Sequence, residues 1–172
     1  VGVNVSLESA SPRMQKVKRK NLNIEKFREN LEYICSKYPE AVTTLNTMHG
    51  FPTETEDEAM MTLNFIQSMK WIHFPYTHIV RIFPGTDLEQ FALNHGMPKK
   101  VINESIDKSY HEVTPTLPFS KEFTNKYKLT FLKDYVLNKE RLSKVLPVQM
   151  KHFTEDEINQ RYSSYFPGKV NG

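Results

Sequence analysis

The sequence predicts an α/β fold with parallel strands in its first half, followed by a mainly helical second half. Three observations predict it. Runs rich in β-branched residues at 1–7, 42–48 and 77–83 indicate strands. The segments between them carry apolar residues at helical spacing. The connecting turns are short, and strand–helix–strand units with short turns form parallel sheets through crossover helices.

Start signals mark the helices of the first half. Ser11 followed by Pro12 predicts an N-cap and a first helical turn. Residues 23–37 then place four apolar side chains on one helical face: Ile24, Phe27, Leu31 and Ile34. These two segments fill the interval between the first and second strands.

A strongly capped helix is predicted after the second strand. Thr55 with Glu58 has the spacing of a capping box, and so does Thr53 with Glu56. Acidic residues cluster at this start, where the helix dipole favours them. We expect the helix to continue to about Lys70.

The second half is predicted to be less regular at first and then helical. Residues 97–118 carry prolines and polar residues and indicate an irregular connection. A helix is expected from about Ser120, and the capping-box spacing of Thr154 and Glu157 predicts a last short helix.

Composition describes a folded, nearly neutral chain. The 172 residues carry a formal net charge of +3, and 38% of them are hydrophobic. That balance fits a globular core and excludes a disordered chain. It also argues against a nucleic-acid partner, because no basic run is interleaved with aromatic residues. The densest basic run, residues 16–20, is interpreted as the solvated face of a helix.

The single cysteine, Cys35, limits the redox and metal chemistry of the chain. One thiol permits no internal disulfide and no all-cysteine metal site, so we expect no metal site here. Cys35 lies on an apolar helical stripe and is interpreted as a core residue rather than a nucleophile. No apolar run approaches the ~20 residues that span a bilayer, and the start shows no signal-peptide pattern. We therefore expect a cytoplasmic protein without a membrane partner.

Polar residues follow each predicted strand. Glu8 follows the first strand, His49 and Gly50 follow the second, and residues 81–85 end the third. The carboxyl ends of parallel strands share one rim, and ligands bind there in such folds. The sequence therefore predicts a site at this rim. Glu8 has a second interpretation, as a carboxylate that stabilises the start of the following helix.

Three segments, in this order, resemble the fourth, fifth and sixth strand exits of the radical S-adenosylmethionine (SAM) enzymes. They read SLESASPR, TTLNTMHGFPTETEDEAMMTLNFI and YTHIVRIFPGTDLEQFALNHG. The similarity is closest to the subgroup that carries a cobalamin-binding domain. It implies the C-terminal half of a partial (β/α) TIM-like barrel over residues 1–97, followed by a helical C-terminal extension over 98–172.

The sequence departs from the family pattern in places. Ala10 and Thr53 stand where the family often has glycine, and Phe83-Pro84 replaces a more proline-rich exit. The family's Cys-x3-Cys-x2-Cys cluster motif is absent, since Cys35 is alone. The resemblance therefore implies the C-terminal part of a longer polypeptide, whose missing N-terminal half would hold the iron–sulfur cluster.

The resemblance also implies cofactor-binding roles at the first two exits. Glu8 matches the acidic position that contacts the SAM ribose or ammonium, and Ser6 and Ser9 are weaker candidates. His49, Gly50 and Phe51 match the segment that approaches adenine, where Gly50 would let the backbone come close. For His49, a hydrogen-bonded structural role is the alternative to a proton donor.

At the third exit, Arg81 and Phe83 match the segment that covers the adenine edge. Arg81 would pair either with a substrate anion or with Glu8 across the rim. Six residues of the extension are candidates for a substrate pocket, with ordinary helix packing as the alternative: Tyr110, His111, Tyr127, Tyr135, Tyr162 and Tyr165.

The implied function is part of a radical SAM enzyme of methyltransferase or oxidoreductase type, inactive as this chain alone. Its cofactors would be SAM and a 4Fe-4S cluster, with or without cobalamin, and its substrate an unidentified small molecule. The missing N-terminal half would be its partner, and unpaired strand edges would allow self-association. The alternative is a stand-alone α/β binding or interaction domain without catalytic activity.

Overall fold

The computed structural model describes residues 2–106 and 118–166. Within them, three parallel strands form one sheet in the order β1–β2–β3. β1 is Gly2–Glu8, β2 is Val42–His49 and β3 is Phe74–Ile79. The α/β fold with parallel strands is confirmed, and it is consistent with part of a barrel followed by a helical extension.

Helices join the strands and make up most of the described part of the second half. Before β3 these are α1 (Pro12–Val17), α2 (Ile24–Lys37) and α3 (Glu56–Gln67). After β3 follow α4 (Asp87–Asn94), α5 (Lys99–Ser105), α6 (Lys121–Thr130), a π-helical turn (Phe131–Val136), α7 (Lys139–His152) and α8 (Glu155–Ser163).

The predicted helix starts are present. The Ser11 hydroxyl accepts a hydrogen bond from the backbone N–H of Met14, so it caps α1. α3 and α8 begin with complete capping boxes, Thr55 with Glu58 and Thr154 with Glu157. The Thr53–Glu56 alternative does not form, because Thr55 is the N-cap and Glu56 is already helical.

The third strand begins and ends earlier than its predicted range of 77–83. It starts at Phe74, and Pro75 is accommodated in it; proline is tolerated where a strand lies at a sheet edge. The last ladder bond runs from the Val80 N–H to the His49 carbonyl, at 3.0 Å. β2 ends at His49 and Gly50 turns away with φ of 85°, so residues 81–83 have no strand to pair with.

The second half also differs from the expectation. The connection predicted over residues 97–118 contains α5, and Tyr110 and His111 lie outside the described residues. The helix expected from Ser120 is divided by the π-helical turn. α7 has its own N-cap, Asn138, whose side chain accepts the backbone N–H of Arg141 at 3.0 Å.

One face of the sheet is covered by helices from both halves of the chain. Leu7 and Leu45 pack in a cluster with Leu63 of α3, and with Tyr127 and Phe131 of the extension. These five side chains are fully or almost fully buried. The extension therefore shares a hydrophobic core with the strands, while the domain boundary between residues 97 and 98 stays a prediction.

Arg141 attaches the extension to the start of β3. Its guanidinium is fully buried and donates to the Ile72 carbonyl from Nε at 3.2 Å and from Nη2 at 2.9 Å. It also donates to the carbonyls of His73, at 2.7 Å, and Val136, at 3.0 Å. A buried cation is thus satisfied by carbonyl oxygens, which would otherwise be buried without partners.

Candidate functional site

The carboxyl ends of the three strands meet at one lip of the sheet. Glu8, the last residue of β1, lies opposite Thr47 of β2. His49, the last residue of β2, lies opposite Ile79, the last residue of β3. The sequence reasoning predicted this arrangement of strand ends from the parallel order alone.

Glu8 has a left-handed backbone conformation, with φ of 65°. The β1–β2 register shifts between Ser6 and Glu8, which leaves Leu7 as the extra residue, fully buried. The Glu8 side chain is 24% exposed, and its carboxylate accepts an ion-paired hydrogen bond from Lys20 Nζ at 2.7 Å. Non-glycine residues in this conformation are uncommon and concentrate at functional sites.

Ser6 and Ser9 have different surroundings from Glu8. The Ser6 side chain is exposed on β1. Ser9 is fully buried, and its hydroxyl lies 3.3 Å from the Thr62 hydroxyl while accepting the Ser11 N–H at 3.1 Å. Ser9 therefore fixes the turn between β1 and α1.

His49 is buried beneath the lip. Its Nδ1 lies 3.2 Å from the Thr77 hydroxyl, and its ring packs on the Tyr127 ring with centroids 4.6 Å apart. Burial, reinforced by the Lys128 charge, lowers the pKa of His49 to about 3. The imidazole is therefore neutral at pH 7, which favours the structural interpretation over the proton donor.

The turn after β2 is held by Glu54, a residue that the sequence reasoning did not single out. The Glu54 carboxylate is buried and accepts the backbone N–H groups of Gly50, at 2.6 Å, and Phe51, at 3.0 Å. Burial raises the pKa of Glu54 to about 7. A carboxylate that binds two successive N–H groups fixes the backbone at this exit. The sequence Thr53-Glu54-Thr55, directly after Pro52, is the signal that could have indicated this carboxylate–backbone contact.

Lys18 corrects the interpretation of the basic run as a fully solvated face. Its Nζ is buried, lies 3.5 Å from the centre of the Phe51 ring, and has no hydrogen-bond partner among the described residues. Burial lowers the pKa of Lys18 to about 8. The run leaves the helix at Val17, where α1 ends, so Lys18 is free to turn toward Phe51.

A cavity of about 310 Å³ opens at the lip. Its lining comes from the ends of β1 and β2 and from the helices that follow β1 and β3: Glu8, Val17, Lys18, Arg19, Phe51, Asp87, Leu88 and Phe91. Arg19 and Asp87 also form an exposed ion pair at 3.2 Å. Carboxylate, ammonium and aromatic groups thus surround one volume, a combination suited to a small zwitterionic ligand with a flat ring.

Arg81 and Phe83 do not line this cavity. Both side chains are exposed, and Phe83 is 54% accessible. The ion pair that Glu8 forms in the structure is with Lys20 rather than with Arg81. Of the eight predicted residues, Glu8 and Phe51 line the cavity.

The described residues contain no cluster of His, Cys, Asp and Glu that could hold a metal ion. Cys35 is half-buried on α2, and burial raises the pKa of its thiol to about 11. The thiol is therefore protonated at neutral pH, which argues against a nucleophile. Across residues 2–106 and 118–166, every helix is too short or too polar to cross a bilayer.

No protein-family model matches the chain. Its sequence is similar to curated proteins named tRNA-2-methylthio-N(6)-dimethylallyladenosine synthase. One from Mycobacteroides abscessus is 29% identical over 107 residues, which are 62% of this chain and 20% of that protein. One from Corynebacterium diphtheriae is 29% identical over 106 residues, again 62% and 20%. One from Thermobifida fusca is 27% identical over 103 residues, which are 59% of this chain and 20% of that protein.

The chain spans about a fifth of the length of the curated relatives it matches. The similarity supports the radical SAM superfamily, and it does not support the subgroup with a cobalamin-binding domain.

Proposed function

We propose that the chain forms the C-terminal part of the barrel of a radical SAM enzyme and supplies one wall of its SAM site. The observation that carries this proposal is the convergence of Glu8, Lys18 and Phe51 on one cavity at the strand exits. The superfamily relationship supports it independently. Cobalamin is not part of the proposal.

The residues of the cavity fit SAM. Lys18 Nζ is a buried donor without a hydrogen-bond partner among the described residues, and it would bind the SAM carboxylate. Glu8 would accept hydrogen bonds from the ammonium or the ribose hydroxyls. Phe51 would contact the flat ring, next to the Gly50 N–H that Glu54 holds in place.

A 4Fe-4S cluster does not fit this chain, because its only cysteine is Cys35. The cluster ligands of the proposed enzyme therefore lie on another part of the polypeptide. SAM together with a reduced cluster would supply the radical chemistry that removes a hydrogen atom from a substrate. Glu8, Lys18 and Phe51 would orient SAM and keep water from it, and this chain alone would be inactive.

The names of the relatives and the charge pattern of the chain point to different substrates. The relatives are named for a tRNA product, whereas the charge pattern of this chain predicts no nucleic-acid partner. Both kinds of substrate are therefore offered to the full-length protein: a tRNA bearing dimethylallyladenosine, and free nucleosides. We also propose that the chain expressed alone self-associates through its unpaired strand edges, which size-exclusion chromatography over a concentration series would measure.

The test uses the full-length polypeptide, reconstituted anaerobically with iron and sulfide and supplied with dithionite as the electron donor. We expect it to cleave SAM to 5′-deoxyadenosine, and Glu8→Ala to raise the Kd for SAM at least about tenfold, since a charge-assisted contact is lost. Glu29→Ala is the matched control, because Glu29 also pairs with a lysine, Lys26 at 3.5 Å, but on an exposed helix face.

Glu8 would have two roles, an ion pair with Lys20 and a contact with SAM. Lys20→Met separates them, because it removes the ion-pair partner and keeps the carboxylate. Undiminished SAM affinity in Glu8→Ala would remove Glu8 from the site. Absence of any SAM binding or cleavage by the reconstituted protein would overturn the proposed function and favour a binding domain without catalytic activity.

A further inference from the structure

A second cavity lies at the opposite end of the sheet from the lip. It has a volume of about 330 Å³, and its lining includes Gly2, Val42 and Phe74, the first residues of β1, β2 and β3. β2 separates it from the lip by roughly 20 Å, because a strand rises about 3.3 Å per residue. A small ligand therefore cannot reach both cavities at once. We call this one the amino-end cavity.

Arg161 of α8 lies in the wall of the amino-end cavity, against two aromatic rings. Its guanidinium carbon is 4.8 Å from the centre of the Phe74 ring and 4.6 Å from the centre of the Phe153 ring. The two rings pack edge to face, with centroids 5.6 Å apart. Contact with aromatic faces orders a guanidinium, and its N–H groups, which lie in the guanidinium plane, stay open for hydrogen bonds.

The acidic residues around Arg161 have other partners. Glu157, one turn earlier on α8, accepts the backbone N–H of Thr154 at 2.8 Å and its hydroxyl at 3.0 Å. These hydrogen bonds lower the pKa of Glu157, and the Arg161 charge adds to the effect. Glu40 pairs with Lys151 at 2.9 Å. Among the described residues the Arg161 guanidinium forms neither an ion pair nor a hydrogen bond, so its five N–H donors are available to a ligand.

The strands add uncharged donors to the same cavity. Asn4 Oδ1 accepts from Asn46 Nδ2 at 2.7 Å, so the amide N–H groups of Asn4 stay available to a ligand, and Thr44 contributes a hydroxyl. His152 is fixed at the rim, because its Nε2 donates to the Glu40 carbonyl at 2.8 Å. The described lining includes no acidic side chain. One cation with neutral donors and no carboxylate is a composition suited to an oxyanion.

We propose that the amino-end cavity binds a small oxyanion, a phosphate or carboxylate group, and that Arg161 is its main binding residue. A planar guanidinium binds two oxygens of such a group at once. Asn4 and Thr44 would donate to the oxygens that Arg161 leaves unpaired. The proposal goes beyond the SAM site and does not depend on it, because the two cavities share no lining residue. The bound anion would join α8 to β1 and β2 and so stabilise the folded protein.

The test measures anion binding to the full-length protein by isothermal titration calorimetry. The probes are inorganic phosphate and succinate, each compared with sodium chloride at the same ionic strength. We expect at least one probe to bind, and the tighter of the two identifies phosphate or carboxylate as the preferred oxyanion. The titration is repeated with saturating SAM and no reductant, so that SAM fills the lip cavity and is not consumed. We expect SAM to leave the affinity for the probe unchanged.

Arg161→Gln should weaken binding of that probe at least about tenfold, since a charge-assisted pair is lost. Arg161→Lys should recover little, because an ammonium does not reproduce the planar fork. Arg28→Gln is the matched control, since Arg28 is also partly buried and lies 4.7 Å from an aromatic ring, that of Phe65, but outside this cavity. Asn4→Ala should weaken binding about threefold, and it tests the cavity even where Arg161→Gln does not fold, because Asn4 is exposed.

Three results would overturn the inference. The first is that neither probe binds more tightly than chloride. The second is equal probe binding in Arg161→Gln and the unmodified protein, or in Asn4→Ala where Arg161→Gln does not fold. The third is weaker probe binding in the presence of SAM, which would place the anion at Lys18 and Arg19 of the lip. Failure to bind SAM, with probe binding still lost in Arg161→Gln, would overturn the proposed function alone and support the anion site.

Discussion

Arg13 and Glu58 join the exit of β1 to the exit of β2 through two parallel hydrogen bonds. Arg13 Nε donates to Glu58 Oε1 at 2.8 Å, and Nη2 donates to Oε2 at 2.6 Å. Arg13 also donates to the Thr53 carbonyl at 2.6 Å. This bidentate geometry fixes the distance between the two loops that contribute Glu8 and Phe51 to the lip.

Removing Arg13 should therefore destabilise the protein in a pH-dependent way. Arg13 is the main cause that lowers the pKa of Glu58 from 4.5 to about 2. A lowered carboxyl pKa adds stability above pH 4.5, and that stability is lost as the pH falls toward 2. We expect Arg13→Met to lower the free energy of unfolding by about 1 kcal/mol at pH 7 and by much less near pH 2.

Urea unfolding at both pH values measures this difference. Lys26→Met is the control, because the Lys26–Glu29 pair is exposed on both sides and should contribute less than about 0.5 kcal/mol. A loss of equal size at pH 7 and pH 2 in Arg13→Met would show that packing, rather than the ion pair, is responsible.

Replacing Thr53 with glycine should stabilise the protein. Its φ is 70°, a conformation that is costly for a β-branched residue and free of cost for glycine. Thr53→Gly also loses a 3.2 Å hydrogen bond from Arg13, so we expect a net rise of about 0.5 kcal/mol in the free energy of unfolding.

Thr55→Gly is the control for that experiment. Thr55 has φ of −90° and caps α3, so glycine there should lower the free energy of unfolding by a few tenths, about 0.3 kcal/mol. Changes of the same sign in the two variants, measured by thermal or urea unfolding, would refute the argument from backbone strain.

Lys18 should show opposite effects on stability and on binding. Burial lowers its pKa from 10.5 to about 8, so the charge destabilises the folded state below pH 8 and ceases to do so above pH 10.5. We expect Lys18→Met to raise the free energy of unfolding by about 1 kcal/mol at pH 7, despite the lost contact with Phe51.

The same variant should weaken SAM binding about tenfold in the full-length protein, because the only buried cation of the lip cavity's described lining is gone. Lys16→Met is the control, since Lys16 is exposed on α1. Lower stability together with unchanged SAM affinity in Lys18→Met would contradict both parts of the prediction.

Arg141 should be among the costliest positions of the extension to change. Arg141→Met leaves the carbonyls of Ile72 and His73 buried with fewer donors, so we expect a loss of about 3 kcal/mol. Arg141→Lys should recover little of it, because an ammonium cannot reproduce the planar fork. Lys139→Met, an exposed neighbour on α7, is the control in urea unfolding. A loss below about 1 kcal/mol would mean that other donors replace the guanidinium.

Features set by neighbouring residues could be predicted from the sequence. The capping boxes at Thr55 and Thr154 depend on two side chains three positions apart, and both are present. The parallel order of the strands follows from the alternation of strands and helices, and with it the placement of Glu8 and His49 at one lip.

Features set by residues that are distant in the sequence could not be predicted. The end of β3 depends on where β2 turns away at Gly50, and the burial of Lys18 depends on the position of the Phe51 ring. The burial of Arg141 left no local signal, because the Ile72 and His73 carbonyls to which it donates lie 69 and 68 positions earlier. Long-range contacts of this kind leave no local pattern to read.

The Arg141 contacts can form only late in the synthesis of the chain. Ile72 and Arg141 are 69 positions apart, and Gln149 reaches the His73 carbonyl from 76 positions away. The ribosome therefore releases all three strands well before it makes the residues that secure the entry to β3. Until the nascent polypeptide passes residue 149, that entry relies on Thr43 and its neighbours in β2, so the growing chain is most vulnerable to proteases and chaperone capture there.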